Sequence, residues 1–313
     1  MLYTLVTGIV SVAIGTYLLG THRQATIMPA ASETNGVMKK PWADAPLALI
    51  PTPTFLTNKT DMWTEGASHM CNLHNAIFRG YNSMYLQAPH VRDADKADFL
   101  GYCRTWSKFV RTHADKEEGE LFPDAERLLK DEVFKHTHEE HGKTTFIASL
   151  PISMLTTARS LDAFIPALNE FHEYLESVKA TPSQLSTARM LELMAAFEKP
   201  FEEHFRSEID TIAALATHPN TPREGTPEAA TAKSRFDAWG RRSVLTGGVT
   251  DVSMFFLFNL DRGYEGGLWS DWPEVPAALR WALTRTLGGW HSGWWRFASC
   301  DADGRPRELY ALP

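Results

Sequence analysis

From about residue 61 onward the chain reads as a series of long helical stripes, with no convincing alternation of the kind a strand needs. The strongest stripe covers 184–215, where Leu193, Phe197, Pro200, His204, Glu208, Thr211 and Leu215 recur at steps of three and four. Thr181-Pro182-Ser183 supplies turn and cap chemistry in front of it, and Pro200 predicts a kink one turn before His204. A first helix over 62–87 carries Cys71, His74, Phe78, Tyr81 and Tyr85 along its seam and stops at Ala88-Pro89. A second, over 95–129, presents Cys103, Trp106, Val110, His113, Glu117 and Leu121. Two stretches compete for the remaining core helix. Residues 131–150 align Phe134, His138, His141, Thr145 and Ala148, whereas 154–179 align Met154, Ala158, Leu161, Ile165, Leu168, His172 and Leu175. The second is the better apolar stripe. Four such helices predict an all-α domain over 61–217.

The flanks differ in character. Residues 2–20 contain no charge, and ~20 apolar residues suffice to cross a bilayer as a helix. A basic n-region and a small-residue cleavage site are both missing, so 1–21 is expected to be an uncleaved membrane anchor ahead of a signal peptide or a buried helix. Arg23, Lys39 and Lys40 follow the span and favour a cytoplasmic bundle, while the sequon Asn58-Lys59-Thr60 would be usable only in a secretory lumen. Residues 22–60, with prolines at 29, 41, 46, 51 and 53, read as a linker, as do 218–235. The remainder, 236–313, holds seven of the ten tryptophans and is expected to pack on the bundle. A net charge of −7 offers no nucleic-acid footprint, and three cysteines are too few for a disulfide framework.

The chemistry lies on the seams. His204 and Glu208 stand one turn apart on a face that should be buried, and His113 and Glu117 repeat the arrangement upstream. A buried carboxylate is costly unless it is paired or binds a cation. Each pair could satisfy itself, and His74 alone reads as a hydrogen-bonded core histidine. Together, three helices each place a ligand type on a buried seam, and such oxygen and nitrogen donors suit iron, manganese or zinc. His74, His113, Glu117, His204 and Glu208 are therefore the candidate metal ligands, with His138 and His141 as weaker ones. Two carboxylates with several imidazoles favour non-haem iron. His291 and Cys300 lack the spacing of a zinc site.

The stretches 74–82 (HNAIFRGYN), 113–123 (HADKEEGELFP) and 204–209 (HFRSEI) resemble the hemerythrin-like family, and within it the HHE cation-binding members of fungi. The resemblance covers about 61–215. It implies an antiparallel four-helix bundle with a di-iron centre, to which His74 would give one ligand and His113–Glu117 and His204–Glu208 a histidine and a bridging carboxylate each. The family's third helix gives two histidines at i, i+4. Here Leu161 and Ile165 stand in their place when 154–179 is aligned, and His138 and His141, at i, i+3, are the substitutes when it is not. The implied function is binding of a small diatomic, oxygen or nitric oxide, or redox sensing. An oxidase or peroxidase on the same scaffold and a metal-free, membrane-tethered interaction module are the alternatives.

Overall fold

The computed structural model describes residues 42–135, 137–138 and 164–313. The expected anchor at 1–21, most of the proline-rich stretch after it, His141 and Leu161 lie outside the described residues. Within them the protein is all-α, with no strand beyond an isolated bridge between Cys300 and Pro306. No described helix is long and apolar enough to cross a membrane.

A short helix α1 (Pro53–Thr57) precedes α2 (Met62–Gln87). The ends of α2 follow from local chemistry. The Asp61 carboxylate accepts from the amides of Trp63 and Thr64, and Ala88-Pro89 turns the chain into a single 3-10 turn. Its burial exceeds the one seam expected from the sequence: Asn75, Arg79, Asn82 and Ser83 on its other faces are buried too. Two segments read as peripheral cover those faces. Residues 42–50, expected to be linker, lie along α2 and are fixed by two asparagines. Asn82 accepts from the Leu47 amide at 2.9 Å and donates to the Leu47 carbonyl at 2.8 Å; Asn75 does the same for Ile50, both at 2.8 Å. Each asparagine thereby supplies the partners that a neighbouring strand would have given. On the opposite side Ser83 and Gln87 donate to the Phe297 carbonyl and hold the C-terminal region. Arg79, 1% exposed, joins all three parts: its guanidinium lies between the rings of Trp42 (5.3 Å) and Tyr264 (5.1 Å), with Asp261 at 3.8 Å.

Helix α3 (Lys96–Lys116) continues through a π-helical turn, Glu117–Leu121, into α4 (Phe122–Leu129). The Trp106 indole donates to the Ile77 carbonyl at 2.9 Å and binds α3 to α2. Helix α5 (Phe164–Ser177) is part of the preferred third stripe, turned from the expected register. Phe164, Leu168, Phe171 and Leu175 face the core, while Ile165 and His172 are half-buried at its flank. The larger apolar area of two phenylalanines decides the rotation, and His172 pairs through Nδ1 with Ser107 Oγ at 3.0 Å. Helix α6 (Thr187–Ala214) is capped by Ser186, which accepts from the Arg189 amide, rather than by the earlier Thr181–Ser183 run. Within it Pro200 and Thr211 are half-buried, and Phe201, Phe205 and Ile209 carry the core in their stead. Helices α2 and α3 pack together, α6 packs on α2, and α5 packs on both α3 and α6.

The stretch 218–235 is not all connector. Helix α7 (Pro227–Thr246) begins inside it, with Thr226 as N-cap and Pro227 as first residue, a start signal hidden in linker-like composition. Helices α8 (Val252–Asn259), α9 (Ala277–Trp290) and α10 (Ser292–Trp295) follow. Helices α7 and α8 both lie on α2 and α3, and α10 lies on α3. Two glycines admit them. A Cβ at Gly80 would collide with the Phe255 ring and come within 2.7 Å of Trp106, and one at Gly101 would collide with the Trp294 indole. The Trp-rich region is thus part of the main core, which includes the buried free thiols Cys71 and Cys103; Cys300 is also buried and free.

Candidate metal centre

All five first-rank residues are buried, and three of them, His74, His113 and Glu117, come together. His74 comes from the middle of α2, His113 from the last turn of α3, Glu117 from the start of the π-turn, and His204 and Glu208 from α6. Their exposures are 0, 2, 1, 2 and 1%. A π-turn inserts a residue into the helical repeat, and such turns recur at functional sites. The insertion here starts at Glu117, the residue whose carboxylate reaches inward.

The geometry is tightest around His113. Its Nε2 lies 3.0 Å from His74 Nε2 and 2.8 Å from Glu117 Oε1. The His74 Nδ1 lies 3.1 Å from the Phe205 carbonyl. A carbonyl only accepts, so Nδ1 carries the proton and the Nε2 of neutral His74 presents a lone pair toward His113. Glu208 Oε2 reaches to 3.7 Å from His74 Nε2 and 4.0 Å from His204 Nε2. Among the described residues, His74, His113 and Glu117 form a group whose donor atoms all lie within 4.8 Å of one another.

That donor set could hold a cation. Ligands bound cis at about 2.1 Å from a common ion lie about 3 Å apart, and the edges from His113 to His74 and Glu117 have that length. The Nδ1–H bond of His74 to a carbonyl is the outer contact that orients a ligating imidazole. Two carboxylates and three imidazoles are donors suited to iron, manganese or zinc. Aromatic rings enclose the group: Phe205 lies 4.3 Å from His74 and Phe109 6.3 Å from His113, centroid to centroid.

On the side of α5, among the described residues, Phe164 lies 5.1 Å from His204, centroid to centroid, and Ile165 sits at the flank. His138, one of the weaker candidates, does not join the group. Its Nδ1 lies 2.6 Å from Glu118 and its Nε2 3.3 Å from Glu126, so both nitrogens are engaged outside the cluster. Burial pulls its pKa down, but the two carboxylates outweigh it and leave it above the usual histidine value.

Sequence reasoning missed Trp239. This α7 residue is 3% exposed; its ring lies 6.3 Å from His113, and its indole donates to the Lys116 carbonyl at 3.0 Å, beside the π-turn. No periodicity connects it to the helices it touches, since it belongs to an element more than a hundred residues downstream. Trp239 also lines a cleft of about 430 Å³ between α7, the start of α2, the π-turn and α4.

No family model matches the chain, and no solved structure matches it. It is similar to the "Dimeric xanthone biosynthesis cluster protein R11" of Cryptosporiopsis sp. (strain 8999), at 28% identity over 284 residues. That match takes in 90% of this chain and 97% of the relative.

Proposed function

We propose that this chain is a hemerythrin-like metal protein. In this reading α2, α3 with α4, α5 and α6 form an antiparallel four-helix bundle that holds iron and binds a small diatomic, oxygen or nitric oxide. The observation that carries it is the convergence of His74, His113 and Glu117, all buried, with inter-donor distances suited to one ion. Glu208 and, further out, His204 complete the donor set. Phe164 beside His204 favours a single ion over a full pair. Iron in this position would supply a redox-active Lewis acid to which a diatomic can bind.

The chain's own residues have separable tasks. The Phe205 carbonyl fixes the His74 tautomer, Glu117 and Glu208 offset the charge of the cation, and Phe109, Phe205 and Trp239 keep water from the His113 side. The apolar stretch 2–20 would tether the protein to a membrane, which fractionation of the full-length and truncated chains tests. A second reading, an oxidase acting on a small aromatic compound, draws on the xanthone-cluster relative, whose length the match covers almost completely. Metal analysis and visible spectra of natively purified protein, repeated on His113→Ala and Glu117→Gln, test the central reading. Iron in the wild type and its loss in both variants is the expected result. Protein without metal, whose helicity and melting temperature ignore both substitutions, supports the metal-free interaction module instead.

A further inference from the structure

The cleft beside Trp239 has the make-up of a ligand site. Its volume of about 430 Å³ falls in the ~300–1,000 Å³ range of small-molecule pockets. Three aromatic rings wall it: Trp63 and Phe236 meet edge to face at 6.3 Å, and Phe236 and Trp239 lie 6.1 Å apart at 54°. Both indole N–H groups are already spent, Trp63 on the Thr221 hydroxyl at 3.1 Å and Trp239 on the Lys116 carbonyl. Trp63 and Trp239 are 2 and 3% exposed, so the two indoles offer an occupant only an apolar rim and no hydrogen bond, and the half-buried Phe236 gives the wall its open aromatic surface, which favours a flat, polarisable body over a hydroxylated one. Leu121 and Ala125 close the floor with further apolar surface.

The polar side chains that line it, Asp124, Glu228, Thr231 and Arg235, are all exposed. Asp124 is paired with Arg127. Arg235 makes no ion pair among the described residues, so a cationic donor borders the cleft. We infer that this cleft binds a planar aromatic small molecule of two or three fused rings that carries a carboxylate or ionised phenol. The ring system lies against Phe236 and the rims of Trp63 and Trp239, and the anionic group faces Arg235. Trp239 then touches the bound ligand on one side and the His113 ring on the other. The relevance of that contact to metal chemistry rests on the function proposed above; the binding itself does not.

Calorimetric titration of the full chain with 1-hydroxy-2-naphthoate tests the inference, with decanoate as an aliphatic anion and 2-naphthylmethanol as a neutral aromatic. Ala232→Trp fills the cleft from α7, and Arg235→Gln removes the cation at an exposed position where folding is not at stake. Expected are saturable binding of the naphthoate, at least about tenfold tighter than decanoate, and a loss of about tenfold or more in Ala232→Trp. Arg235→Gln should weaken the naphthoate severalfold and leave 2-naphthylmethanol unchanged. The inference is overturned if natively folded protein shows no binding up to the solubility limit, if decanoate binds as well, or if neither substitution changes the naphthoate isotherm. Metal content measured on the same samples, before and after chelation, keeps the two proposals apart. A naphthoate isotherm that persists in protein without metal leaves the cleft in place and removes only the metal reading.

Discussion

Replacing Asn82 by alanine should detach the segment 42–50 from α2 at a large cost. In the folded protein the Asn82 side chain accepts from the Leu47 amide and donates to the carbonyls of Leu47 (2.8 Å) and Ala43 (3.2 Å). Asn82, Leu47 and Ala43 are all 0% exposed. The substitution therefore strands one N–H and two carbonyl groups where water does not reach. A buried polar group left unsatisfied costs ~1–3 kcal/mol. Relaxation of a short segment that can lift away and rehydrate limits the sum, so we expect a loss of roughly 3 kcal/mol. Urea unfolding reads the global term, and hydrogen exchange of residues 42–57 reads the local one. Asn82→Asp is the sharper control: it keeps an acceptor for the Leu47 amide but turns the donor into an anion facing two carbonyls, and should be at least as damaging. A loss below about 0.5 kcal/mol, with exchange at Leu47 unchanged, would refute the claim that this asparagine anchors the segment.

Gly101→Ala, which on an open helix would stabilise by roughly 0.5–1 kcal/mol, should here lower the melting temperature because the methyl meets the Trp294 indole. In a Trp294→Ala background the sign should reverse, which a double-mutant cycle of thermal unfolding would read. His69, stacked on Trp272 at 5.4 Å, has its pKa lowered to about 4 from 6.5 by burial and by Lys233. The unfolded chain then binds the extra proton, so stability is full above about pH 6.5 and falls as pH drops toward 4. The loss is at most about 3 kcal/mol, and less because part of the ring meets solvent; denaturant titrations of His69→Gln should lack this acid slope. Glu117→Gln preserves shape and an acceptor for His113 but removes the anion. Chelator should lower the melting temperature of the wild type, by an amount equivalent to ~2.7 kcal/mol if free metal stands at a hundred times its Kd, and leave this variant unmoved. Equal responses of the two proteins would count against Glu117 as a ligand.

The sequence carried the helix-scale features because they rest on local rules. Ala88-Pro89 ends α2 through proline's missing N–H, so a helix over roughly 62–87 was legible, while the Asp61 cap appears only in the structure. The burial of His74, His113, Glu117, His204 and Glu208 was legible because they fall at seam positions among apolar neighbours. The register of α5 was not, since Phe164 with Phe171 and Ile165 with His172 lie on adjacent stripes, and only packing against α6 decides between them. The role of 42–50 depends on asparagines 25 and 35 residues away, and those of Trp239 and of the cleft on contacts across a hundred residues or more. Proline-rich composition at 42–57 marks where helix cannot form, and says nothing about whether the extended chain is buried. Pro227, read with its neighbours as linker, was instead a helix start.

The metal centre is most directly tested by elemental analysis of natively purified full-length protein, with His113→Ala and His138→Ala alongside. About one iron per chain is expected in the wild type, with retention in His138→Ala, whose nitrogens are held by Glu118 and Glu126, and loss in His113→Ala. A helical wild-type protein that carries no metal and takes none up from ferrous solution, or loss of metal in His138→Ala with retention in His113→Ala, would contradict the metal reading.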